Sequence, residues 1–139
     1  MRRFNIGYIF SEKRTFSKNE LKKMARDCGD INFIHHDDEL AEATSLSGIV
    51  ASGSALAATF SAMIPSHFSI FSPMLGLEMS FKFLQPVKPD EELSMKWCIS
   101  DTRDQSDDGQ MLDLEGQIID SNHKILVSAD AKIMLMPKL

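Results

Sequence analysis

Apolar positions change their period along this chain, and the change marks where helices give way to strands. Ser17-Lys18-Asn19-Glu20 reads as a capping box, after which Leu21, Met24, Ala25 and Cys28 recur at helical spacing. Gly29 then supplies the stop. The pattern predicts a short second helix from Asp38 to about Thr44. A third runs from Ser52 to Ile64, and Pro65 is expected to end it. That third segment is apolar on most sides and rich in Ala, Ser and Gly. It is predicted to lie buried, with a sheet or another helix approaching closely. From Leu75 onward the chain alternates. Strands are predicted over Leu75 to Leu84, Glu92 to Thr102, Met111 to Asp120 and Ile125 to Met136. Asp107-Asp108-Gly109 and Ser121-Asn122-His123 mark turns between them. Tyr8-Ile9-Phe10 and Arg14-Thr15-Phe16 are read as a short N-terminal pair at an edge. One small-residue helix followed by four long antiparallel strands predicts an α+β fold, its sheet wrapped around that helix.

Length and composition narrow the picture without adding a second unit. The 139 residues, 43% hydrophobic and 25% charged, are read as a single globular domain, 1–139, with no repeat or linker. A formal charge of −5 argues against nonspecific binding to nucleic acid or to an acidic membrane surface. It leaves room for an anionic ligand held by a few local cations. Cys28 and Cys98 are two and widely spaced, which suits reduced thiols in a cytoplasmic protein better than a disulfide framework. Ile6 to Phe10 is too short for a secretory core, and Ala55 to Ile64 is too short to span a bilayer.

The stretch Asp30-Ile31-Asn32-Phe33-Ile34-His35-His36-Asp37 carries the chemistry. A carboxylate and an imidazole stand five residues apart on one short connection, with a turn-favouring Asn between them. Ser52-Gly53 then opens the third helix. Carboxylate, imidazole and a glycine at a helix N-terminus are the parts needed to move protons and to hold an oxyanion. Each has a plainer reading. Asp30 can serve as a turn cap, His35 as a loop residue, and Gly53 as a place where helix and sheet approach closely. Ser61 can be a helix serine bonded back to its own backbone. His35-His36-Asp37-Asp38 does not predict a metal site, because neighbouring His residues point in different directions and His67 and His123 stand alone. Asp37 and Asp38 are expected to open the second helix, where negative charge suits the dipole.

Asp-x-Asn-x-x-His, a Gly-containing helix start, and Phe83-Leu84-Gln85-Pro86-Val87-Lys88-Pro89 before a strand together resemble the MaoC-like dehydratases, the (R)-specific enoyl-CoA hydratases of hot-dog fold. The match covers roughly residues 8 to 136. The resemblance implies that Asp30 and His35 activate a water and that the Gly53 N–H polarises a thioester carbonyl. Asn32 belongs to the same motif, and Ser61 corresponds to a serine near the catalytic pair. It further implies a hot-dog homodimer or higher oligomer acting as a hydro-lyase on acyl thioesters of coenzyme A or acyl carrier protein. No cofactor is expected beyond that carrier. The chain departs from the family pattern at Phe33, where Pro is usual, at His36, where an apolar residue is usual, and at Ser52, where His is usual. A thioesterase on the same fold and a noncatalytic acyl-binding subunit remain as rival readings.

Overall fold

The computed structural model describes residues 2–137. Five strands form one antiparallel sheet: β1 (Ile9–Arg14), β2 (Met74–Phe83), β3 (Leu93–Asp104), β4 (Gln110–Ile119) and β5 (Ile125–Leu135), in the spatial order β1-β3-β4-β5-β2. Three α-helices, α1 (Lys18–Cys28), α2 (Asp38–Glu42) and α3 (Gly53–Phe68), fall between β1 and β2, with a 3-10 turn at Phe33–His35. The sheet packs around α3, as the alternating pattern predicted.

That packing follows from period-two burial on one side and period-3.6 burial on the other. Leu93, Met95, Trp97 and Ile99 of β3 face inward with Leu112, Leu114 and Ile118 of β4. They meet Leu56, Phe60, Met63 and Ile64 of α3. Trp97 stacks on Phe60 at 4.4 Å between ring centroids, and its indole N–H donates to the Phe60 carbonyl at 3.1 Å. Gly116 on β4 makes room for both rings. A Cβ there would stand 2.7 Å from Trp97 and 2.8 Å from Phe60.

Three expectations need correction. Helix α3 does not stop at Pro65 but continues to Phe68. An interior proline costs about 3 kcal/mol, whereas full burial of Phe68 beyond it returns roughly 2–3 kcal/mol, and the Ser69 N–H closes the final turn on the Pro65 carbonyl at 2.9 Å. Nor is α3 enclosed on all sides, since Ser54, Ala58 and Ala62 form an exposed stripe along it. Finally, the two N-terminal pieces are one strand, because β1 pairs with β3 without interruption from Ile9↔Cys98 to Arg14↔Leu93.

Strand β2 is an outer strand paired only with β5, and Leu75, Leu77, Met79 and Phe83 on it are all exposed. Among the described residues no helix is long and apolar enough to cross a membrane.

Candidate active site

Local backbone chemistry sets the position of Asp30. Ser17 and Glu20 cap the start of α1, and Gly29 ends it at φ 82°, a left-handed conformation that glycine adopts at little cost. The Asp30 N–H then donates to the Ala25 carbonyl at 2.9 Å, so this residue leaves the helix in one fixed direction. Its Oδ1 accepts the Asn32 N–H at 3.1 Å. Asn32 in turn caps the 3-10 turn, its side-chain oxygen accepting the Ile34 N–H at 3.4 Å. That turn carries His35 inward, where the residue is only 5% exposed.

His35 is held from both sides. Its Nδ1 lies 2.8 Å from the Val50 carbonyl, and its Nε2 lies 3.3 Å from Asp30 Oδ2. A carbonyl only accepts, so Nδ1 carries hydrogen and Nε2 is left facing the carboxylate. In a neutral ring that would set a lone pair against a carboxylate oxygen. Imidazole Nε2 and carboxylate Oδ2 therefore face one common place from which a proton can be taken and returned. The neighbouring His36 plays a different part: its Nε2 bonds the main-chain oxygen of Asp30 at 2.6 Å.

Ser52 completes the carboxylate's surroundings. Its hydroxyl donates to Asp30 Oδ2 at 2.6 Å and accepts the Ala55 N–H at 3.2 Å, capping α3. The Ser52 hydroxyl, followed by the Asn32 N–H, holds the Asp30 carboxyl below its ordinary value. Burial opposes the shift, while the charges of His35 and His36 add to it.

Gly53 is the first residue of α3, so its N–H is among the donors that a helix leaves without an internal partner. The Phe83 ring covers it, 3.3 Å from where a Cβ would stand. Beside it lies a cavity of about 180 Å³ whose lining, mostly apolar, includes Leu56, Phe83, Pro86 and Val87 together with the polar Gln85. A helix N-terminus at an apolar cavity can hold a carbonyl oxygen that gains negative charge.

The structure thus brings Asp30, Asn32 and His35 together and joins them to the Gly53 helix through Ser52. It does not join Ser61 to them. The Ser61 hydroxyl donates to the Ala58 carbonyl at 3.1 Å on its own helix, the ordinary fate of a mid-helix serine. Asp37 caps α2 by accepting the Leu40 N–H at 3.0 Å, and Asp38 pairs with Lys18 and Lys22 of α1, as expected of acids opening a helix. Sequence reasoning missed the bond from Ser52. The available signal was a serine at an N-cap, whose hydroxyl proton stays free for a carboxylate once its oxygen has capped the helix.

Comparisons with known proteins agree with this architecture. The family model for the MaoC like domain matches residues 5–115. The uncharacterized protein YdeM of Bacillus subtilis is 36% identical over 93 residues, which is 65% of this chain and 65% of that protein. The match therefore spans less than two thirds of either. The (R)-hydratase from A. caviae involved in PHA biosynthesis superposes with a TM-score of 0.84 at 20% identity, covering 99% of this chain and 100% of that one. R-hydratase PhaJ1 from Pseudomonas aeruginosa gives 0.80 at 20% identity over 97% and 84%. The HadBC 3R-hydroxyacyl-ACP dehydratase complex from Mycobacterium tuberculosis gives 0.79 at 12% identity over 96% and 99%.

Proposed function

The chain belongs to the MaoC-like domain family, and from that premise we propose that it is a hydro-lyase interconverting a 2-enoyl thioester and the (R)-3-hydroxyacyl thioester. The acyl group would be carried on coenzyme A or acyl carrier protein. The observation that carries this reading is the approach of His35 Nε2 to Asp30 Oδ2 at 3.3 Å, with the imidazole tautomer set by Val50.

In the hydration direction, a water bound against the two groups gives a proton to the Asp30–His35 pair as its oxygen bonds C3. The C2=C3 electrons move toward the thioester carbonyl, whose oxygen gains charge against the Gly53 N–H. The same pair then returns a proton to C2. One oxygen and two hydrogens have been added, and the pair is back in its starting state. Because both transfers pass through one pair, both new bonds form on one face. This chemistry needs no group beyond the thioester carrier.

We extend the reading to a homodimer. β2 leaves a row of unpaired backbone groups beside exposed Leu75, Leu77 and Met79, which a second copy would cover. Sedimentation as a monomer at assay concentration would remove this part.

The decisive test is the loss of enoyl absorbance over a panel of 2-enoyl-CoA substrates of different chain length. Conversion of at least one, with a 3-hydroxyacyl product, is expected. Release of free thiol instead would assign a thioesterase, and binding without turnover a noncatalytic acyl-binding subunit.

A further inference from the structure

We propose that Ser52 is a positioning residue: its hydroxyl aligns the Asp30 carboxylate, while its own peptide bond presents the Gly53 N–H. The proposal rests on the hydro-lyase reading for its catalytic consequence, and on the geometry of Ser52 for its physical content.

Ser52 is 1% exposed, so its hydroxyl makes its bonds within the protein. A hydroxyl has one proton to give and two lone pairs to offer. One lone pair accepts the Ala55 N–H. The carboxylate, at 2.6 Å, takes the proton. Cys28 Sγ lies 4.0 Å away, its own proton directed to the Ala25 carbonyl at 3.4 Å. With the Ala55 N–H occupying one side of its oxygen, the hydroxyl finds its charged acceptor in the Asp30 carboxylate. The chain from the Ala55 N–H through Ser52 to Asp30 is a relay of aligned dipoles ending on an anion, and each link polarises the next.

Two consequences follow. First, the carboxylate has both oxygens engaged by neutral donors, Asn32 N–H on Oδ1 and Ser52 O–H on Oδ2. This fixes the direction of both carboxylate oxygens, with Oδ2 turned toward His35 Nε2 at 3.3 Å. Second, Ser52 and Gly53 are consecutive residues. The group that orients the base and the group that would hold the oxyanion therefore sit on one stretch of backbone, itself held by the Ala51 N–H on the Val87 carbonyl at 2.8 Å. A shift of the helix start would move both together, which preserves the geometry between the two ends of the reacting thioester.

The competing account is that Ser52 only caps α3. Two substitutions separate the accounts, because alanine is a poor cap whereas glycine is nearly as good as serine, and neither has a hydroxyl. The experiment measures the Asp30 side-chain carboxyl titration by ¹³C NMR, the pH profile of kcat/KM and the melting temperature, in the parent, S52A and S52G. The positioning role predicts that Asp30 titrates at higher pH in both variants and that the acid limb of kcat/KM moves up with it. Activity at the optimum should fall by roughly tenfold, as expected for losing a hydrogen bond to a charged group. The cap-only account predicts a lower melting temperature in S52A, near-parent behaviour in S52G, and an unmoved Asp30 titration in both; that result would overturn the proposal. Should S52A fail to fold, S52G alone decides it. A parent protein with no hydration activity but a shifted Asp30 titration in the variants would leave the Ser52–Asp30 relation standing and strike the proposed function instead.

Discussion

His36 reaches the main-chain oxygen of Asp30, at 2.6 Å, while its neighbour His35 faces the same residue's carboxylate. Two adjacent imidazoles therefore meet one aspartate in different ways, one bracing the backbone and the other facing the carboxylate. Asp30→Asn and His35→Ala are each expected to lower kcat/KM by about 10²–10⁴-fold, the usual contribution of a general acid or base. His36→Leu should retain most activity. Rate measurements on variants confirmed as folded by circular dichroism decide this. A loss in His36→Leu as deep as that in His35→Ala would show that the reaction depends on His36 as much as on His35 and would overturn this assignment.

Gly53→Val tests the helix start. A Cβ at this position would meet the Phe83 ring at 3.3 to 3.4 Å, and the larger valine would also occupy the place of a bound carbonyl. Phe83 is 51% exposed, so its ring can swing outward and the fold should survive. kcat should fall strongly, by as much as the roughly 3–4 kcal/mol that an oxyanion donor contributes. A lower melting temperature with kcat per folded molecule unchanged would reduce Gly53 to a packing role.

Gly116→Ala tests the core under α3. Its Cβ would come within 2.7 Å of Trp97 and 2.8 Å of Phe60, and both rings are fully buried and stacked, so neither can move aside. Overpacking of this kind costs about 1–3 kcal/mol. Urea denaturation should show a lower midpoint at an unchanged slope. An equal midpoint would mean that the sheet can shift away from the helix.

The last prediction concerns pH. His67 stacks on Phe10 at 4.2 Å, and its Nε2 lies 2.7 Å from the Tyr8 hydroxyl. Burial, with Arg2 adding to it, pushes the His67 pKa below its ordinary 6.5. Because the folded value is the lower one, the neutral ring contributes stability above the ordinary value, and that contribution is lost as pH falls through the folded value. His67→Phe keeps the stack but removes the titration. The melting-temperature difference between parent and variant should therefore move against the parent as pH drops below about 6.5. A constant difference across that range would exclude the titration of His67 as its source.

What the sequence determined by itself was whatever depends on neighbours a few residues apart. The Ser17–Glu20 capping box, the stop at Gly29 and the inward alternation of Leu93, Met95 and Trp97 all appear where the pattern placed them, because caps and strand faces are set by local hydrogen bonding and side-chain period. The Asp30 to His35 spacing likewise marked a pair that the 3-10 turn brings to 3.3 Å. The bond from Ser52 to Asp30 spans 22 residues, and the cover of Phe83 over Gly53 joins β2 to α3. Local sequence marks Ser52 only as a helix cap and does not name the partner in either contact, since each depends on how α1, α3 and the sheet come together. Pro65 illustrates the same limit. Its local rule predicts a helix end, yet the burial of Ile64 and Phe68 on either side carries α3 through it. Tertiary burial offsets the cost of the interior proline, and only the packed core could decide that balance.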